Sequence, residues 1–282
     1  MVYEKYGATF KKMRKHKGVV LEDFLSIGVG RTALSDFERG KSMLSLDKLD
    51  SALQFMGFSL SEYDMYLNKY MQTDILYLML ETEEALIVKD IQKLEKILKI
   101  SQDIQEEKFS LAIELILGKG DTHLIIDNLV DFLYEAKIFN RREILIFYII
   151  MPYIPPKDIL NILKYWKRQE SDMMTDIYHQ RAVFITISQA AMVLMSYNLK
   201  EESKYYIQFV KSLRQKYSMF LNNLINGVLG VWIYKFENKD KGIEMINQFL
   251  SLFILTGGDD KAKYYLKRIE EVIGDKIPEI RL

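Results

Sequence analysis

The sequence predicts an all-α protein in two parts, a head of five short helices over residues 1–66 and an α-solenoid over residues 67–282. Three observations predict it. Six glycines, Gly7, Gly18, Gly28, Gly30, Gly40 and Gly57, crowd the first 57 residues, so elements there must be short and separated by tight turns. Beyond about residue 70, apolar residues recur at helical spacing, as in Ile91, Leu94, Leu98 and in Ile243, Ile246, Leu250, Phe253. Alternation of period two, which a half-buried strand requires, is absent throughout.

Taken in order, residues 4–17 carry Tyr6, Phe10 and Met13 on one helical stripe. Residues 21–26 form a short second helix. Residues 31–39 form a third, stopped by Gly40 as its left-handed cap. Ser45 then N-caps a fourth helix that turns Leu46, Leu49, Leu53 and Met56 inward and closes at Gly57. Ser61-x-x-Asp64 has the form of a weak capping box opening a fifth.

In the second part, breaks fall at Gly118-Lys119-Gly120, Pro155-Pro156, Asn198, Asn238-Lys239-Asp240 and Gly257-Gly258. Two helices fit between most of them, in units of roughly 35–45 residues, the range of helix-pair repeats. Residues 144–154, "ILIFYIIMPYI", are the most apolar stretch. They are far short of the roughly 20 residues that cross a bilayer, so a buried helix and no membrane association are expected.

The 282 residues include no cysteine, which excludes disulfide frameworks, zinc ribbons and thiol nucleophiles and suits a cytoplasmic address. The charged N-terminus lacks the apolar core of a signal peptide. Net charge is zero over the whole chain but not locally. Residues 1–41 hold nine Lys and Arg against five Asp and Glu, an excess of +4 that the remainder balances with −4. A basic head on an acidic body is the pattern of an anion-binding module joined to something else.

The stretch "GRTALSDFERGKSMLSLDKL", residues 30–49, says what the module reads. A helix, a tight turn and a second helix with small polar residues at its start form a helix-turn-helix, whose second helix enters the major groove of double-stranded DNA. Thr32, Ala33 and Ser35 are small enough for close approach to bases, and Arg31 reaches base acceptors or phosphate. Lys12 and Lys15 of the first helix, with Lys41 after the third, suit the phosphates, though the run at 11–17 is also what a solvated face looks like. Asp36 is the exception, since beside DNA an acid repels phosphate and can accept only from a base amino group such as that of cytosine.

"GATFKKMRKHKGVVLEDF…GRTALSDFERGKSMLSLDKLDSAL" resembles the phage-repressor (lambda-repressor-like) helix-turn-helix, and more narrowly the Rgg/GadR/MutR regulators of low-GC Gram-positive bacteria. Carrying the likeness are "KKMRKHKG", the spacing from Phe24-Leu25 to Leu34-Ser35, the run Phe37-Glu38-Arg39-Gly40 and the helix after it, about 65 residues in all. "RREILIFYIIMPYI" is similar to a family stretch in which a Tyr/Arg-Glu pair opens a very apolar helix. The resemblance implies a helical repeat (TPR-like) body that forms a homodimer and binds a short peptide pheromone. It also implies that Arg14 pairs with Glu38 inside the head rather than touching DNA. Where some members have a head-linking cysteine this chain has Leu46, so any contact between heads is noncovalent.

No catalytic constellation, cofactor motif or metal cluster assembles from the sequence, and no enzyme is expected. Asp176-x-x-His179 is a lone pair where a di-iron site needs more carboxylates. Gly118-Lys119-Gly120-Asp121-Thr122 lacks the spacing of a phosphate loop and reads as a turn before a helix capped by Asp121 or Thr122. A ligand face is more credible. "NNLINGVLGVWIY" sets Asn223, Gly227, Gly230 and Tyr234 on one helical side, with Asn226 beside them. Two glycines there imply that a backbone comes close, either a neighbouring helix or a peptide whose donors and acceptors an asparagine matches. Arg142 and Arg181 lie amid apolar runs and either meet a peptide's carboxylate or pair with Glu143 and Asp176. The expected function is therefore peptide-controlled transcription regulation; the rivals are an interaction scaffold whose head binds no DNA and a regulator without a ligand.

Overall fold

A computed structural model of the chain describes residues 4–67, 74–168, 177–213 and 218–277. The described residues are helical with no strand among them, and they divide into two compact units, residues 1–77 and 78–282. The sequence puts the division after residue 66, whereas the units part after Tyr77, inside the fifth α-helix.

The first unit holds α1 (Glu4–His16), a 3-10 turn (Asp23–Ile27), α2 (Arg31–Glu38), α3 (Leu46–Phe55) and α4 (Leu60–Leu67). Its core includes three packed phenylalanines, Phe10 with ring centroids 5.9 Å from Phe24 and 5.6 Å from Phe37, together with Met13, Leu34, Leu49 and Leu53. Gly7 is a helix residue because α2 touches α1 there: a Cβ on Gly7 would lie 1.8 Å from the carbonyl oxygen of Phe37. Tyr63 ties α4 to α1 by donating its hydroxyl to the carbonyl of Tyr6 at 2.8 Å.

Four local expectations are corrected. Leu46, the first residue of α3, is 68% exposed rather than turned inward. The second element is a 3-10 turn rather than an α-helix, because Gly28 (φ +75°) ends it too soon for α nucleation. Asp23 fixes its start, its carboxylate accepting from the N–H of Val20 at 2.9 Å. Ser45 stands at the N-cap of α3 without making a cap bond; it hydrogen-bonds instead to the Asp47 carboxyl, which holds that group below the usual carboxylate range. The capping box of α4 is Ser59-x-x-Glu62, not Ser61-x-x-Asp64. Glu62 N–H donates to Ser59 Oγ at 3.1 Å and Ser59 N–H donates to Glu62 Oε2 at 2.8 Å. Phe58 packs against the core before the box, and the helix starts at Leu60, two residues earlier than a box at Ser61 implies.

From α5 (Asp74–Val88) onward the second unit runs through α6 (Ile91–Asp103), α7 (Glu107–Ile116), α8 (Thr122–Glu135), α9 (Arg141–Ile150) and α10 (Pro156–Lys167). It continues as α11 (Ile177–Ser196), α12 (Lys200–Ser212), α13 (Met219–Phe236), α14 (Lys239–Leu255) and α15 (Asp259–Ile273). Sequence neighbours pair as antiparallel hairpins do in helical repeats: α6 with α7, α11 with α12, α13 with α14. α11 is the hub, packing also on α9, α13 and α15. α9, the apolar stretch of the sequence, buries Ile144, Leu145, Ile146, Phe147, Ile149 and Ile150. Its start is a capping box, with Arg142 N–H donating to Asn140 Oδ1 and Asn140 N–H donating to Glu143 Oε2. No described helix is long and apolar enough to cross a membrane.

Candidate nucleic-acid interface and ligand groove

The helix-turn-helix buries Leu34 and Phe37 of α2 and leaves Arg31 and Thr32 exposed at its start, with Ser35 and Asp36 partly exposed one turn on. The N-cap is Gly30 in extended conformation, and no side chain caps the first turn. Its N–H groups therefore stay open to an external acceptor such as phosphate. Arg31 bonds Glu22 at 2.8 Å, both side chains at least half exposed, so the pair costs little to break. Asp36 has Lys41 3.9 Å away, drawn in by the Lys41 N–H that donates to the Asp36 carbonyl at 2.9 Å. The acid that argues against DNA in the sequence thus carries its own partial counter-charge.

Arg14 is a structural residue. Its Nε and Nη2 donate to the two Glu38 oxygens at 2.5 and 2.9 Å, and Nη1 donates to the carbonyl of Val19 at 2.7 Å. Both residues of the pair are 8 % exposed. The lysines of α1 separate by geometry. Gly7, Phe10 and Arg14 mark the stripe that faces the rest of the head. At 100° per residue Lys12 falls about 160° round from Arg14, on the far side, while Lys15 falls about 100° away. Both are exposed, as is Lys41. Lys15 and Lys41 are therefore the better phosphate candidates, and Lys12 is the weaker one because of its position on the wheel. Replacing Lys15 and Lys41 by alanine is expected to reduce the salt slope of DNA binding by about 1 each, with Lys12→Ala leaving it nearly unchanged, as measured by anisotropy across a salt series.

In the second unit a groove of about 960 Å³ opens between α5, α11, α13, the end of α14 and the start of α15. Leu80, Ile87, Met219, Phe220, Leu252 and Phe253 supply apolar wall, and Glu83, Arg181, Asn223 and Asp259 supply polar groups. Two of the five residues read from the sequence as peptide-binding, Arg181 and Asn223, meet here. A separate cavity of about 30 Å³, beside Tyr148 and Arg268, has room for roughly one or two waters and no peptide.

The other three lie elsewhere. Arg142 bonds Glu143 at 2.8 Å and Glu106 at 3.5 Å, with its guanidinium over the Phe132 ring. These contacts hold it at the start of α9, and it does not line the groove. Asn226 is exposed and outside the groove. Tyr234 and the glycine face meet a helix, not a peptide: a Cβ on Gly227 would sit 2.5 Å from the Phe249 ring, one on Gly230 2.9 Å from Met245, and one on Gly242 2.4 Å from Tyr234. α14 fills that side, and Asn223 donates to the carbonyl of Phe249 at 2.9 Å. Glu83 and Phe220 also line the groove and were not among the candidates read from the sequence. The run Glu81-Thr82-Glu83-Glu84 inside an otherwise apolar helix was the available signal for the first.

The remaining motifs stay structural. Asp121 caps α8, accepting from the N–H groups of His123 and Leu124, and Lys119 pairs with Glu95 at 3.1 Å. Asp176 lies outside the described residues. His179 is buried, which together with nearby Arg141 pushes its pKa down. Among the described residues no three His, Asp or Glu side chains could hold a metal ion.

No protein-family model matches the chain. Among solved structures, the SHP pheromone receptor Rgg2 of Streptococcus dysgalactiae is similar over 94% of this chain and 99% of its own, at 19% identity and a TM-score of 0.76. The chain has the fold of that receptor. The PrgX/cCF10 complex is similar over 98% of this chain and 95% of its own, at 15% identity and a TM-score of 0.71. A bacterial peptide pheromone/receptor complex covers 96% and 99%, at 14% identity and a TM-score of 0.69. The likeness spans head and body alike, so the helix-turn-helix with a helical repeat body stands as the architecture.

Proposed function

We propose that this chain is a sequence-specific, DNA-binding transcription regulator controlled by a short peptide in the groove of its helical body. The observation that carries the reading is the start of α2: Arg31, Thr32 and an uncapped first turn, exposed together on a head whose core is otherwise closed. A helix presented in this way fits the major groove, where Arg31 has the fork geometry for guanine and the free N–H groups suit phosphate. The fold shared with pheromone receptors supports the peptide half of the reading.

The head, residues 1–66 by the sequence reading, binds DNA, and residues 67–282 sense the ligand and make the homodimer. Two heads meet successive major grooves when their reading helices stand about 34 Å apart or a multiple of it. Leu46, 68% exposed at the start of α3, and Met43 offer apolar surface for a noncovalent contact between heads. The peptide acts by its difference in affinity for two arrangements of the dimer, since equal binding to both shifts nothing. Such a protein works in the cytoplasm, where its DNA is, and no step needs a cofactor or catalysis.

The test is binding of the full chain to DNA from upstream of its own and adjacent genes, with and without short peptides fractionated from spent culture medium. The expected result is specific binding whose affinity or stoichiometry changes with one peptide fraction. Specific binding indifferent to every fraction favours the ligand-independent regulator. Absence of specific binding favours the scaffold.

A further inference from the structure

We propose that Arg181 is the carboxylate-binding residue of the groove, and that Glu83 occupies it while the groove is empty. The inference rests on the peptide reading above and names the chemistry of its ligand, an apolar peptide with a free C-terminal carboxylate.

Arg181 stands on α11 at the apolar side of the groove, its guanidinium 5.8 Å from the centroid of the Phe220 ring. An aromatic face beside a cation holds the guanidinium plane in place without satisfying its N–H groups. Among the described residues its ion pair is with Glu83, one Nη2 to Oε1 contact of 2.8 Å reaching from α11 to α5 across 98 positions of sequence. A guanidinium has five N–H donors in a fork made for two carboxylate oxygens, and among the described residues the single contact with Glu83 leaves that fork only partly used. The pair is also within reach of solvent, Arg181 at 35% and Glu83 at 23% side-chain exposure, so an incoming ligand meets both groups.

Glu83 is the α5 acid available for this role. Its neighbours Glu81 and Glu84 are both held by Lys93, which sits 2.7 Å from Glu81 and 2.5 Å from Glu84. A peptide's terminal carboxylate presents the same two oxygens as Glu83 and arrives with apolar side chains suited to Leu80, Met219, Leu252 and Phe253. Exchange of one carboxylate for another keeps Arg181 paired, and the displaced Glu83, whose side chain is 23% exposed, turns to solvent. Affinity then comes from apolar burial, and selectivity for a free C-terminus comes from Arg181. The free Glu83 is on α5 and its release loosens the link between α5 and α11, which gives ligand binding a structural consequence.

The experiment uses the full chain and two synthetic heptapeptide pools, each position randomised over Gly, Val, Leu, Ile and Phe, one pool with free C-terminal acids and the other with the same sequences amidated. After incubation with both pools together, bound peptides are separated by size exclusion and counted by mass spectrometry. Free acids should be retained at least about tenfold over amides. Glu83→Gln should raise retention of acids about two- to fivefold, because a partly exposed pair withholds Arg181 only weakly, and leave amides unchanged. Arg181→Met should abolish the preference for acids while unfolding at the same temperature as the parent within a few degrees. Equal retention of acids and amides, or a Glu83→Gln variant that binds acids less well, overturns the role of Arg181 and leaves the peptide reading standing. No retention from either pool by parent or Glu83→Gln overturns the peptide reading, and this inference with it.

Discussion

Glu38→Ala is expected to unfold the head while leaving the second unit folded. The carboxylate it removes is buried, and it holds the equally buried Arg14 guanidinium through two hydrogen bonds. Without Glu38, the charge on Arg14 stays in the interior with the Val19 carbonyl as its hydrogen-bond acceptor and Glu22 as a more distant counter-charge. Breaking a buried pair from one side costs about 3–5 kcal/mol. A compact unit of 77 residues has little more than that to lose. The loss concerns the uncompensated charge and not the attraction itself, so Arg14→Met with Glu38→Leu should cost far less than Glu38→Ala alone. Both tryptophans, Trp166 and Trp232, lie in the second unit, so their fluorescence does not report on the head. Hydrogen exchange followed by mass spectrometry over α1 and α2 does. Glu38→Ala should exchange there almost as fast as an unfolded chain, and the double variant should remain protected.

Gly242→Ala should destabilise the second unit more than any other single methyl added to α13 or α14. The new Cβ would overlap the backbone of Tyr234, 2.5 Å from both its N and its Cα, and backbone cannot rotate out of the way. The two helices must move apart, at about 1–3 kcal/mol for overpacking, against a gain of about 1 kcal/mol from alanine's helix propensity. Gly227→Ala meets first the ring of Phe249, a side chain rather than backbone, and should cost less. Trp232 on α13 donates its indole N–H to the carbonyl of Lys200 at 3.1 Å and is nearly fully buried, so thermal unfolding read by its fluorescence ranks the two variants. A Gly242→Ala melting temperature equal to that of the parent would show that α13 and α14 are not in contact as described.

How far these features were legible in the sequence differs by physical cause. Helix stops at Gly40, Gly57, Gly118 and Gly257 were readable because a left-handed residue is a local demand, and all four have φ between +65° and +76°. The apolar stripe of α1 was readable for the same reason, being local periodicity. The pairing of Arg14 with Glu38 came instead from family resemblance, since nothing local in the sequence joins residues 24 positions apart. The second element of the head failed as an α-helix because so short a segment, 5 residues as observed, supports either form, and Asp23 and Gly28 decide it. Glycines in α13 announced a close neighbour correctly but could not name it. The neighbour is α14, which arrives with a glycine of its own, Gly242, opposite Tyr234. Arginines were ambiguous throughout, because a guanidinium amid apolar residues needs a carboxylate and the sequence does not say whose. Arg142 found Glu143 one residue away, whereas Arg181 found Glu83 across the fold.

The head's use on DNA is the claim on which the rest depends, and selection from a pool of random duplexes tests it most directly. The full chain is incubated with the pool at near-physiological salt, bound duplexes are amplified over several rounds, and the same selection is run with Arg31→Ala. The account predicts a recovered motif of two related half-sites centred about one helical turn or a multiple of it apart. It also predicts that Arg31→Ala binds that motif more weakly by about 1–3 kcal/mol, while non-specific duplexes are bound almost as before. A pool that returns no motif from the parent protein, or a motif that Arg31→Ala recovers with undiminished affinity, would contradict it.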